Sequence, residues 1–230
     1  MNAKLKTPQI LKGLVYWLGV PAVLLLLGGD IKWWQAWVYI GVAFAAAIAS
    51  GVLVDRKNPD LIGERAGFTG RPGTQEWDKV LSPLVGIWMP LVYFIVAGLD
   101  KRFHWSPPVS IWISLAALLV SLAGFALVIW ALVANRYFSS VVRIQTDRGQ
   151  KVVEDGPYLL IRHPGYAGGV ITAFMFPLIT TSLWALIPVV VYSGLVVVRT
   201  KLEDQTLMAE LNGYQEYARR TRYKMLPGIW

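Results

Sequence analysis

The sequence predicts an all-α polytopic membrane protein of about six transmembrane helices, with a C-terminal helical hairpin and a cytoplasmic C-terminal tail. Three observations carry this reading. Of 230 residues 55% are hydrophobic and 16% charged, and the mean hydropathy is +0.48, too apolar for a soluble domain of this length. The apolar residues gather into runs near the roughly 20 residues needed to cross a hydrocarbon core about 30 Å thick. The Lys and Arg residues between those runs fall 19 on one side and 3 on the other.

The runs are, approximately, Leu11 to Gly28, Trp34 to Val54, Val80 to Leu99, Val109 to Ala134, Tyr166 to Thr181 and Leu183 to Val198. Lys4 and Lys6 before the first run, with Lys12 at its start, resemble the head of a signal peptide. No small-residue cleavage site follows Gly29, so this run is expected to remain as a first span. Only Thr181-Ser182 separates the last two runs, which therefore form a short hairpin, with Pro177 and Pro188 expected to bend it. The basic residues place both termini in the cytoplasm by the positive-inside rule, in the inner membrane of a bacterium or the endoplasmic reticulum of a eukaryote. Trp33, Trp34, Trp37, Trp105, Trp112 and Trp184 lie near span ends, where an interfacial aromatic belt is expected.

With no repeat and no linker, 1–230 reads as a single membrane domain, four spans over 1–134 followed by a catalytic half over 135–230. The segment Asp55 to Lys79, carrying Pro59, Gly63, Gly67, Gly70, Pro72 and Gly73, reads as irregular or interfacial. The absence of cysteine excludes thiolate metal sites and a cysteine nucleophile. Two histidines are too few for a histidine-based metal site, and no metal is expected. Neither a phosphate-binding loop, a zinc helix, a serine elbow nor a dinucleotide fingerprint occurs. The net charge of +8 is distributed for orientation and contact with anionic lipids, so nucleic acid is not an expected partner.

Three polar constellations remain. Gly156 to Gly169 (GPYLLIRHPGYAGG) contains two turn-forming proline pairs, giving a fixed bend that delivers Arg162, His163 and Tyr166 to the membrane surface. Gly165, Gly168 and Gly169 suggest close approach of a ligand to backbone. Arg199 and Glu203, at i and i+4 beyond the last span and followed by Asp204, share a helix face and can pair. Ionisable groups at such a boundary are candidates for function. Finally Tyr214, Tyr217 and Tyr223 precede the apolar ending Met225 to Trp230, which is expected to fold back over something. Arg219 and Arg220 are expected to meet anionic head groups.

The ordered set Gly156-Pro157-Tyr158, Arg162-His163-Pro164, Tyr166, Gly168, Arg199, Glu203-Asp204, Tyr214, Tyr217 and Tyr223 to Trp230 resembles the isoprenylcysteine carboxyl methyltransferase family. Asn135 to Ser139 and Arg143 to Gln145 also fit bacterial members. The family pattern usually has a second glutamate where Asp204 stands. The resemblance implies a membrane-embedded methyltransferase that binds S-adenosylmethionine and takes a lipophilic acceptor, such as an isoprenylcysteine-like carboxylate, from the bilayer. It implies cofactor contacts from His163, Pro164, Tyr166, Gly168, Glu203, Asp204, Tyr214 and Tyr217. Arg199 would orient the acceptor, while His163 or Glu203 would take a proton from an amine or phenol. Two alternatives stay open: an NADPH-dependent sterol or steroid reductase, for which Arg219, Arg220 and Arg222 could bind phosphate, and a membrane scaffold. Oligomeric state and the identity of the acceptor are not legible.

Overall fold

A computed structural model describes residues 7–65 and 71–230, with side chains from residue 18 onward. Lys4, Lys6, Gly67 and Gly70 lie outside the described residues, as does the side chain of Lys12. Every regular element among the described residues is helical: α1 (Thr7–Gly28), α2 (Trp34–Lys57), α3 (Pro59–Arg65), α4 (Asp78–Pro83), α5 (Met89–Phe103), α6 (Ile111–Ala134), α7 (Pro164–Thr180), α8 (Leu186–Glu210) and α9 (Tyr214–Arg220). A π turn, Leu84–Trp88, joins α4 to α5 between Pro83 and Pro90, whose missing N–H groups interrupt the ladder.

Four helical stretches are long and apolar enough to cross a membrane: Trp34–Lys57, Asp78–Phe103, Ile111–Ala134 and Leu183–Glu210. The 17 residues of α7 make a shorter apolar helix, about 26 Å at 1.5 Å per residue. Large apolar side chains face outward on these helices, among them Ile48, Val80, Leu119 and Val190, as the lipid-exposed surface of a polytopic protein requires. Trp34, Trp37, Trp105, Trp112 and Trp184 are exposed near helix ends. Trp33 departs from the expected belt: it is 1% exposed, packed on Gly28 beneath Lys101.

The bundle is held by an aromatic core and by close backbone contacts. Phe94 stacks on Phe176 at 4.7 Å, and Tyr39 meets the same ring edge-on at 4.8 Å. A Cβ on Gly168 would lie 2.6 Å from the Gly124 carbonyl, so α7 rests directly on α6. Gly98 makes the corresponding approach to α1 at Leu24. Small residues at such crossings let helices gain dispersion contact where no hydrophobic driving force separates lipid from protein. At the far end from the polar segments, buried Asp100 accepts hydrogen bonds from the Ser106 and Ser182 hydroxyls, both at 2.6 Å, tying the α5–α6 loop to the α7–α8 turn.

Two segments differ from expectation. Asp55 to Lys79 contains α3 and leads into α4, because Leu61 finds a buried place beside Val54 and Leu132. The last helix continues twelve residues beyond Val198, to Glu210. Nothing stops it: the stretch from Arg199 is rich in Lys, Leu, Glu, Gln, Met and Ala, and the next glycine is Gly213.

Candidate functional site

The segments between the spans, 55–79, 135–163 and 199–230, meet at one end of the bundle. Here the bend before α7 is clamped from three sides. The Arg162 and His163 N–H groups donate to the carbonyls of Tyr223 and Lys224, so the tail is tied to the bend through the backbone. The Arg162 guanidinium donates to Asp204 Oδ2 at 2.9 Å and to the carbonyls of Ala218, Thr221 and Arg222. Asp204, 2% exposed, also accepts from the Tyr214 hydroxyl at 2.9 Å and faces His163 Nε2 at 3.3 Å. The Tyr217 hydroxyl donates to the Tyr158 carbonyl at 2.7 Å. Met225 is buried against Val196 and its sulfur accepts from the Thr200 hydroxyl, so the apolar ending folds back onto α8.

Above this clamp lies an open cavity of about 810 Å³, bounded by the 135–153 loop, the bend, α8 and α9. Tyr137, Phe138, Tyr158, Tyr166, Tyr214 and Tyr217 give it aromatic walls. At its floor Tyr166 is fixed on every side. Its hydroxyl donates to Glu203 Oε2 at 2.5 Å, the His163 ring stacks on it at 5.8 Å, and the Arg199 guanidinium carbon lies 5.4 Å from its ring centre. The other Glu203 oxygen accepts no hydrogen bond from a described residue. Burial pushes the phenols of Tyr158, Tyr214 and Tyr217 well above 10, so all three remain neutral donors at physiological pH.

Arg199 does not pair with Glu203 as its i,i+4 spacing predicts. Its Nε and Nη2 donate to Asp78 at 2.7 and 3.0 Å, and Nη2 also to the Ser140 carbonyl at 3.0 Å. Asp78 is fully buried and accepts a further bond from the Val142 N–H at 2.6 Å. A bidentate fork matches a fixed carboxylate brought from another helix better than a flexible glutamate on its own helix. Sequence reasoning missed Asp78; its signal was a single acidic residue opening an apolar run. Arg143 is likewise held, by Glu64 and Asp147, which raise its pKa further above the ordinary guanidinium value.

Of the expected cofactor contacts, His163, Tyr166, Glu203, Tyr214 and Tyr217 line the cavity together with Arg199. Pro164, Gly168 and Asp204 are not among its lining residues. Pro164 is the buried first residue of α7, where its missing N–H costs nothing. Gly168 is small for α6; Gly165, at which a Cβ would come within 2.5 Å of the Phe138 ring, also lines the cavity. Asp204 stands behind the wall and fixes it. Arg220 pairs with Glu154 at 2.8 Å.

A helical, polytopic membrane protein with a polar, tyrosine-walled cavity at one end of its bundle is the class these elements define. Residues 112–209, from the first turn of α6 almost to the end of α8, match the model of the isoprenylcysteine carboxyl methyltransferase (ICMT) family, the family that the motifs resemble. The match supports a membrane methyltransferase. No curated protein matches the chain.

Proposed function

We propose that the protein transfers a methyl group from S-adenosylmethionine to a lipophilic carboxylate, of the kind an isoprenylcysteine presents. The observation that carries this reading is Glu203, inside the family-matching stretch and on an aromatic cavity, with one oxygen fixed by Tyr166 and the other without a donor among the described residues. A free carboxylate oxygen suits ribose hydroxyls, and aromatic walls suit an adenine ring. When bound, the cofactor supplies an electrophilic methyl on a sulfonium. An aromatic wall attracts that cation, and the clamp of Asp204, Arg162 and Tyr214 holds the wall rigid enough to align two reactants. A carboxylate acceptor needs no general base, so neither His163 nor Glu203 has to move a proton. Arg199, locked to Asp78 and Ser140, holds the Tyr166 ring and keeps Nη1 without a partner among the described residues.

A second cavity supports a lipophilic acceptor. It measures about 750 Å³ and is lined chiefly by apolar and aromatic residues, among them Phe44, Phe94, Phe125, Tyr192, Gly169 and Thr172. Tyr166, Gly169 and Thr172 are three residues apart on α7 and form one stripe running from the first cavity to the second. A hydrocarbon chain in the second cavity would present its polar end to Tyr166.

The NADPH alternative fits less well. A 2′-phosphate and a pyrophosphate need several free cations, whereas Arg143, Arg162 and Arg199 around the cavity are each bound to carboxylates. Equilibrium binding to detergent-purified protein decides between them: S-adenosylhomocysteine should bind and NADPH should not. The reverse result would overturn the proposal. We further propose cytoplasmic termini, from the 19-to-3 distribution of basic residues. A reporter fused after residue 230 that scores on the opposite side of the membrane would reverse this orientation.

A further inference from the structure

We infer that Arg65, on α3, supplies the positive charge that selects an anionic acceptor at this site. The inference rests on the methyltransferase reading and adds a residue outside the family-matching stretch, at the end of a helix the sequence leaves as loop. On the cavity lining itself the guanidinium charges are answered: Arg199 by Asp78, Arg162 by Asp204, Arg143 by Glu64 and Asp147. Lys151, the other cation on the lining, is on the exposed rim.

Arg65 has no such answer. No carboxylate among the described residues lies within ion-pair distance of it. Standing behind the Phe138 ring and not on the lining itself, its guanidinium donates one hydrogen bond of 3.3 Å from Nη1 to the Phe138 carbonyl and sits 5.2 Å from the Phe138 ring centre. That ring lines the cavity and abuts Gly165. Arg65 also lies within electrostatic reach of Tyr166, Tyr158 and Arg199, which line it too. Burial pulls its pKa down to about 10, against the attraction of Tyr166, so it stays cationic at neutral pH. Its side chain is half-buried, and the cost of a partly desolvated cation without a counter-ion is relieved when an anion binds nearby. An acceptor carboxylate placed before Tyr166 is such an anion.

The test uses two probes, N-acetyl-S-farnesylcysteine and its uncharged carboxamide, with direct equilibrium binding to detergent-purified protein so that turnover is not required. The parent should prefer the carboxylate by about tenfold or more. Arg65→Gln, which can still donate to the Phe138 carbonyl, should abolish that preference, Arg65→Lys should keep part of it, and S-adenosylhomocysteine affinity should be unchanged in both. A parent without preference, an Arg65→Gln variant that retains it, or equal weakening of both probes would each overturn the inference. Loss of S-adenosylhomocysteine binding in the parent itself would instead sink the methyltransferase reading.

Discussion

Replacing Asp78 by asparagine tests whether the Arg199–Asp78 pair fastens the site. Asparagine keeps the shape and one acceptor oxygen but removes the charge that takes two bonds from Arg199 and one from the Val142 N–H. Both partners are buried, so Arg199 is left as an uncompensated cation, a change that costs about 3–5 kcal/mol in comparable pairs. At the roughly 2–4 °C per kcal/mol typical of domains of 150–250 residues, this corresponds to a fall in Tm on the order of 10 °C. The eleven tryptophans make intrinsic fluorescence in a fixed detergent a suitable readout. Adding Arg199→Met should recover part of the loss, because the stranded charge is gone and an apolar side chain takes its space. A Tm within about 2 °C of the parent for Asp78→Asn, or strictly additive losses in the double variant, would refute the reasoning. Arg199→Lys follows the same logic. Its i,i+4 spacing to Glu203 alone predicts a stable protein with slower transfer, whereas the fork to Asp78 and Ser140 predicts lower stability as well.

Three further outcomes are expected. Glu203→Gln should weaken S-adenosylhomocysteine binding at least about tenfold, since charge-assisted hydrogen bonds contribute roughly 1.5–3 kcal/mol; unchanged affinity in isothermal calorimetry removes Glu203 from the cofactor site. Gly168→Ala places a methyl 2.6 Å from the Gly124 carbonyl and should destabilise the α6–α7 contact by about 1–3 kcal/mol, visible as a lower Tm; a neutral result would mean the helices separate freely. Burial raises the Glu64 pKa, but Arg143, Arg71 and Ser139 outweigh it and hold the carboxyl below its ordinary 4.5. Its stabilising contribution is therefore complete above that value and lost as pH falls through the lower folded-state pKa, so Glu64→Gln should flatten the acid limb of a Tm–pH curve below about pH 4.5. An identical acid limb in parent and variant counts against the Glu64–Arg143 pair as a stabilising contact.

Sequence pattern alone determined the helical membrane class, the approximate starts of the long helices, and the motifs from Asn135 to Asp204 that lie in the stretch the family model matched. These are local or one-dimensional properties: the length of an apolar run is set by the bilayer, and the residues that stop a helix act within a turn. It also brought His163, Tyr166, Glu203, Tyr214 and Tyr217 into one set, because the bend and the tail sit at the same ends of neighbouring helices. What only the tertiary structure decided was who pairs with whom. Arg199 lies four residues from Glu203 yet is bound to Asp78, 121 positions away, since a fork in a buried crossing takes the carboxylate whose position is already fixed. Gly168 looks like a ligand-facing residue in a motif and packs against α6 in the bundle, a distinction that rests on where the Gly124 carbonyl comes from. The unanswered charge on Arg65 is of the same kind. No stretch of sequence records that a cation lacks a partner, because that is a property of everything folded around it.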